Sequence, residues 1–230
     1  MIQGPAYGII VAAGRSERMG GVDKVYADLL GRPLVTWTLR AFKQCEAIDG
    51  MVLVAAPDHV GRARALVREW RFDGVIDVVA GGATRQQSVG AGLAAARDAA
   101  IVAVHDAARP LVTPSLIARG VELAREHGAA LCAVPARDTV KDVEGDPPHV
   151  RATLDRDRTW LAQTPQVFAR DVLLRAHEQA TGTATDDAAL VEALGHAVPV
   201  YEGPWWNLKV TGREDLIIAA ALLRERIEGR

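Results

Sequence analysis

The chain has 230 residues, between one and two domains at roughly 150 residues each, and long enough to bury about 70% of its unfolded surface without disulfides. Hydrophobic residues at 49% and charged residues at 24% give an ordinary globular balance and exclude a disordered chain. Twenty-seven bases against 29 acids, a net charge of −2, argue against coating nucleic acid by bulk charge.

No apolar run reaches the ~18–20 residues of a membrane span. The opening Met1-Ile2-Gln3-Gly4-Pro5 lacks the basic start of a signal peptide. Cys45 and Cys132 have no CxxC partner and stand in apolar stretches, so they read as buried free thiols, which suits a reducing cytoplasm.

In chain order, residues 7–13, 50–55, 74–79 and 101–104 read as buried strands. Helical patterns lie between them at 33–44, 58–70 and 88–97, with Thr84 and Gln87 spaced as a capping box for the third. Thr113 then Pro114 start a fourth helix running to about 126, and 129–134 is a fifth strand. Strands apolar throughout, separated by helices, predict a mostly parallel sheet covered on both faces, a three-layer α/β fold of Rossmann-like kind. The rhythm breaks at Arg137. Segments 140–143 and 150–154 read as a two-stranded ribbon inside an inserted β-arm over about 137–160, too small to stand alone in water. Helices at 170–179 and 186–194, strands at 198–201 and around 207–210, and a last helix from 211 to about 227 complete the chain. Thr211 and Glu214 have capping-box spacing for that last helix. One domain with the inserted arm is expected.

Ligands of open α/β sheets lie beyond the carboxyl ends of the strands. After the first strand come Ala12, Ala13 and Gly14, then Arg15, Arg18 and Lys24. Small residues with bases outline a phosphate cradle, and they equally suit a solvated loop. GxxxxGK[ST] and GxGxxG are both absent there. The fourth strand runs into His105, Asp106, Ala107, Ala108 and Arg109. Asp106 can hold Mg²⁺ against phosphates or cap a turn, and His105 can act as a base or bond nearby backbone. Gly81, Gly82, Ala83 and Ser88 can seat a base and ribose, or simply begin a helix. Arg156 stands in a run of alternating charge that suits a surface ion-pair network, and the stem of Lys209 can pack on Trp205 and Trp206.

Several segments, in order over about 200 residues, resemble one family. They are Ala12-Ala13-Gly14 with Arg18-Met19 and Lys24; Gly81-Gly82 with Arg85 and Ser88-Val89; His105 to Pro110; Arg137 to Lys141; Thr164-Pro165-Gln166; Thr185-Asp186-Asp187; and Asn207 to Thr211. The family is that of the 2-C-methyl-D-erythritol 4-phosphate cytidylyltransferases. Asp23 stands where the family has proline. The resemblance implies transfer of CMP from CTP to a polyol phosphate with Mg²⁺, in a homodimer whose arm crosses to the partner, with no nucleic acid or membrane involved. It implies that Arg18 and Lys24 hold the β- and γ-phosphates and that Asp106 takes the Mg²⁺. Ala12, Ala13, Gly14, Gly82, Ala83, Ser88 and Ala107 would frame the nucleotide. Lys209 and Arg109 would face the acceptor, with Thr139, Arg156, Thr164 and Thr185 binding it. Other readings are a cytidylyltransferase for another polyol phosphate, such as ribitol 5-phosphate, or a nucleotide-binding protein without catalysis.

Overall fold

The computed structural model describes residues 1–14 and 24–229. Arg15, Arg18 and Asp23, named above, lie outside them. The described strands are β1 (Ala6–Ala12), β2 (Gly50–Ala55), β3 (Val75–Ala80), β4 (Ile101–Asp106), β5 (Ala129–Pro135), β6 (Lys141–Glu144), β7 (His149–Thr153), β8 (Trp160–Ala169) and β9 (Val200–Glu202). The helices are α1 (Leu34–Lys43), α2 (Val60–Glu69), α3 (Arg85–Ala95), α4 (Pro114–His127), α5 (Arg170–Gln179), α6 (Asp187–Ala193) and α7 (Arg213–Glu228). None of the described helices is long and apolar enough to cross a membrane.

Among the described residues, seven strands form one sheet in the order β3-β2-β1-β4-β8-β5-β9. β1 pairs in parallel with both β2 and β4, and β8 alone runs antiparallel to its neighbours β4 and β5. From β1 the chain winds first toward β2 and β3, then returns to lay β4 on the other side. The crevice between the ends of β1 and β4 is therefore the switch point where such sheets bind ligands. Register places Val11 beside Asp106, so the last residue of β4 sits against the loop leaving β1.

Successive residues of β1 show the two covered faces. A side chain at Gly8 would strike the Phe42 ring of α1 at 2.6 Å, while Ile9, on the opposite face, lies so close to α3 that a Cβ at Gly92 would meet it at 2.4 Å. Burial on both faces explains why β1, β2 and β4 are apolar throughout. Fully buried Ile9, Ile10, Leu39, Phe42, Leu53 and Leu93 belong to this core, each contributing about 1.5–3 kcal/mol relative to exposure. A second cluster of Leu29, Leu34, Leu111, Val210, Ala219 and Leu223 docks α7, with Trp206 packed against it.

Both expected caps of the first half form. Thr84 and Gln87 make a reciprocal box at α3, and the Thr113 hydroxyl accepts from Leu116 N–H ahead of Pro114. Three expectations are corrected. The second cap is made by Asp215, whose Oδ2 accepts from Thr211 N, Thr211 Oγ1 and Gly212 N, and not by Glu214. Residues 207–210 form no strand; their backbone is anchored to neighbouring turns instead. Between the arm and the helix at 170, where no element was expected, lies most of the ten-residue strand β8, which fills the middle of the sheet. The β6–β7 ribbon forms as expected, as a separate two-stranded sheet. Val143 and Val150 on it are 54% and 58% exposed, an apolar strip that this chain leaves uncovered.

Candidate active site

A cavity of about 710 Å³ opens at the switch point. Three strand ends build it: Ala12, Ala13 and Gly14 after β1, Gly81 to Arg85 after β3, and Asp106 with Ala108 after β4. Lys24, Ala56, Pro57, Ser88 and Lys209 close it. Ala107, expected to frame a nucleotide, is fully buried. Ala108 faces the cavity instead.

The glycines have distinct physical reasons. A Cβ at Gly81 would meet Ala13 Cβ at 2.5 Å and Ser88 Oγ at 2.6 Å, so that turn is closed by close packing. Among the described residues, a Cβ at Gly14 would meet nothing within 4 Å. Among the described residues, the Ser88 hydroxyl is committed as donor and as acceptor, and the Thr84 hydroxyl as acceptor. Ser88 donates to Thr84 O at 2.9 Å and accepts from Gly82 N–H at 3.2 Å. Thr84 Oγ1 accepts from Gln87 N–H as the helix cap, and the Ala83 N–H is taken by Gln87 Oε1.

Asp106 is the electrostatic centre. Lys209 Nζ lies 2.7 Å from its Oδ2, and Arg85 Nε lies 3.2 Å from its Oδ1. Burial alone would raise this carboxyl, but Arg85 and Lys209 outweigh it and hold it well below the usual carboxylate range. Arg85 continues the chain to buried Asp187 at 2.6 Å, and His177 Nε2 stands 3.4 Å from the other oxygen of Asp187. Burial pushes the Arg85 guanidinium down, and the carboxylates of Asp187 and Asp106 more than reverse it. The sequence alone assigns no role to Arg85, Asp187 or His177. The partners of Arg85 are 21 and 102 positions away, and no local spacing reveals them. The available signal was a base at the first position of a helix that enters a glycine-rich turn.

A second relay runs beneath. Asp106 N–H donates to Thr164 Oγ1 at 3.2 Å, Thr164 Oγ1 lies 3.0 Å from His105 Nδ1, and His105 Nε2 lies 3.2 Å from the Arg109 carbonyl. A carbonyl only accepts, so Nε2 carries the proton and Nδ1 receives the threonine hydroxyl. His105 is thus a neutral structural link, and Thr164 turns its hydroxyl inward. Arg109 donates from Nη1 to Asn207 O at 2.7 Å, while its buried Nε has no partner among the described residues. Thr139, Arg156 and Thr185 are exposed and are not among the residues lining this cavity.

Burial lowers His105 to about 4 from its ordinary 6.5. Between those values the unfolded chain binds a proton that the folded chain refuses. The stability this residue contributes is therefore present above about pH 6.5 and lost as pH falls toward 4. From pH 7 to pH 5 its loss is about 2 kcal/mol. His105→Gln is expected to remove that part of the acid sensitivity in urea unfolding at the two pH values. An unchanged pH difference in the variant would contradict the assignment.

A small-residue cradle and a doubly paired carboxylate, at the switch point of a mostly parallel sheet, define an α/β protein with a site suited to an anionic ligand. The family model described as 2-C-methyl-D-erythritol 4-phosphate cytidylyltransferase matches residues 7–225. The chain belongs to that family. It is 44% identical over 217 residues to the 2-C-methyl-D-erythritol 4-phosphate cytidylyltransferase of Dehalococcoides mccartyi, with 94% of this chain and 95% of the relative covered. The crystal structure of 4-diphosphocytidyl-2C-methyl-D-erythritol synthase from Anaerococcus prevotii superposes with a TM-score of 0.84 at 30% identity, covering 96% of each chain. The crystal structure of the 2-C-methyl-D-erythritol 4-phosphate cytidylyltransferase of Thermus thermophilus gives 0.77 at 35% identity, covering 94% of this chain and 98% of that one.

Proposed function

We propose that this chain transfers CMP from CTP to 2-C-methyl-D-erythritol 4-phosphate, releasing pyrophosphate, and that it supplies position and charge but no nucleophile. The observation that carries the reading is Asp106, held between Lys209 and Arg85 at the edge of the small-residue cavity. Both substrates are anions and repel, so the site must neutralise and align them. An oxygen of the acceptor phosphate attacks the α-phosphorus of CTP. The bond from that phosphorus to the α–β bridging oxygen breaks, and the electron pair leaves with pyrophosphate. Lys24 and Arg18 hold the β- and γ-phosphates, Arg as a bidentate fork and Lys as a point charge. Ala12, Ala13, Gly14, Gly82, Ala83 and Ser88 frame the cytidine through close backbone approach, with Ala107 as backbone beneath them. Lys209 and Arg109 receive the acceptor phosphate, and Thr185 contributes to binding the acceptor. Thr164 contributes by fixing the Asp106 backbone. The bonded state of Ser88, whose hydroxyl both donates and accepts, supports direct attack, since that hydroxyl does not stand ready to form a covalent intermediate.

One hard oxygen donor at the cavity edge suits a Mg²⁺ whose other ligands are phosphate oxygens and water. Among the described residues no cluster of three or more His, Cys, Asp or Glu could hold a metal ion alone. Asp106 would hold it, and it would neutralise phosphate charge. Asp106→Asn is expected to raise the Mg²⁺ concentration needed for half-maximal activity. Tight stoichiometric Mg²⁺ binding by calorimetry without nucleotide would contradict this division of ligands.

We read the chain as one nucleotidyltransferase domain with the arm at about 137–160, working as a homodimer in the cytoplasm, where its buried free Cys45 and Cys132 stay reduced. Thr139 and Arg156 belong to the arm and serve the partner's site. The uncovered Val143 and Val150 strip supports that placement. The test is pyrophosphate release from CTP with each candidate acceptor. The expected result is turnover with 2-C-methyl-D-erythritol 4-phosphate and far less with ribitol 5-phosphate. The reverse preference, or CTP binding without turnover, would overturn the reading.

A further inference from the structure

Lys209 sits on a segment without regular structure, between β9 and α7. Such a segment needs another source of rigidity to aim a charge. Its anchors are specific. Gly203 N–H donates to Ala133 O, and Val210 N–H donates to Ala108 O, each at 2.8 Å. A Cβ at Gly203 would meet Cys132 Sγ at 2.5 Å and Gln163 Oε1 at 2.6 Å, so the segment lies hard against β5 and β8. Midway between these anchors is Asn207, fully buried. Its Nδ2 donates to Gln163 Oε1 at 3.0 Å and to Thr164 O at 2.9 Å. Gln163 Nε2 returns a bond to Pro204 O at 3.2 Å, which closes the segment onto β8. The Asn207 carbonyl accepts from Arg109 Nη1 at 2.7 Å.

We propose that Asn207, seated on Gln163, is a positioning residue that aligns Lys209 and Arg109 as one pair facing the acceptor phosphate. It reaches Lys209 through two residues of chain and Arg109 through its own carbonyl. Its other partner, Thr164, holds the Asp106 backbone, so one amide ties together the three charged groups of the acceptor side. Residues that touch neither substrate can matter this much, because a misplacement of about 1 Å costs on the order of 10² in rate. This inference rests on Lys209 and Arg109 acting on the acceptor, as proposed above.

The experiment is steady-state kinetics on Asn207→Asp, which keeps the shape and removes both amide donors, alongside CTP affinity by calorimetry. The expected result is a KM for 2-C-methyl-D-erythritol 4-phosphate raised about tenfold and kcat lowered between about ten- and a hundredfold, with CTP affinity within about twofold of wild type. In a Lys209→Ala background the same change should cost clearly less than in the wild type, because one of the two groups it aims is gone. A merely structural role would weaken CTP binding alongside the rate and would persist in that background. Either of those results, or a wild-type acceptor KM in Asn207→Asp, overturns the proposal. Should Asn207→Asp fail to fold, Gln163→Ala decides by the same readouts, and an unchanged acceptor KM there overturns it. A wild-type protein that releases no pyrophosphate refutes the functional reading and this proposal with it. An active wild type with an indifferent variant refutes this proposal alone.

Discussion

Replacing Lys24 by alanine is expected to lower kcat by about 10²–10³ at saturating substrates while leaving the urea midpoint close to wild type. The rate effect is that of removing a donor placed where charge develops in the transition state. The small stability effect follows from local structure. Lys24 opens a short 3-10 turn, Lys24–Tyr26, whose buried member is Val25. The lysine itself lines the cavity. The apolar anchor therefore remains when the amine is removed. Arg18→Ala is expected to behave in the same way. A Lys24→Ala enzyme with near wild-type kcat would remove this residue from the phosphate-binding role. Asp23 bears on the same test, since a neighbouring carboxylate competes with phosphate for the amine. Asp23→Pro, the family's residue, is a natural companion variant.

Mixing Arg156→Ala and Lys209→Ala chains is expected, at acceptor concentrations well below the raised KM, to restore turnover that neither homodimer has. The Arg156→Ala homodimer should have a raised KM for the polyol phosphate with nearly unchanged CTP binding, and the Lys209→Ala homodimer should lose kcat. In a heterodimer, one site pairs the intact Lys209 core with the intact arm, and the other site carries both lesions. Random exchange makes heterodimers about half of all dimers, so about one quarter of wild-type turnover should return. Arg156 lies in the 3-10 turn Arg156–Arg158 that follows the ribbon. It is not among the residues lining its own chain's cavity. Activity that stays at the sum of the two mutants, with exchange proven by mass, would mean that the arm serves its own subunit.

Much of the fold was legible because its signals are local. Buried parallel strands are apolar throughout, and Thr84, Gln87, Thr113 and Pro114 mark helix starts through bonds within a single turn. β8 was hidden because it breaks both rules. It carries Gln163, Thr164, Pro165 and Gln166 in the middle of a sheet, where a proline argues against a central strand. Its buried polar groups are satisfied by distant parts of the chain. Gln166 Nε2 bonds Asp186 at 2.9 Å, its Oε1 accepts from Asp187 and Ala188 N–H, and Thr164 bonds His105. The same non-local bonding made 207–210 look like a strand. Its alternation of apolar and polar residues serves Asn207's amide contacts and Lys209's reach to Asp106. At the site, the small-residue turns and Asp106 could be read from strand ends. The Asp187–Arg85–Asp106 chain could not, because only folding brings those charges together.

The central claim is that this site aligns and neutralises two anions and lends no nucleophile of its own. Its most direct measurement is the configuration at the α-phosphorus, using CTP made chiral there by a single sulfur substitution. A single in-line displacement by the acceptor phosphate inverts that centre, and the account predicts inversion in the product. Retention would require two displacements through a covalent CMP–enzyme intermediate, and it would contradict the account.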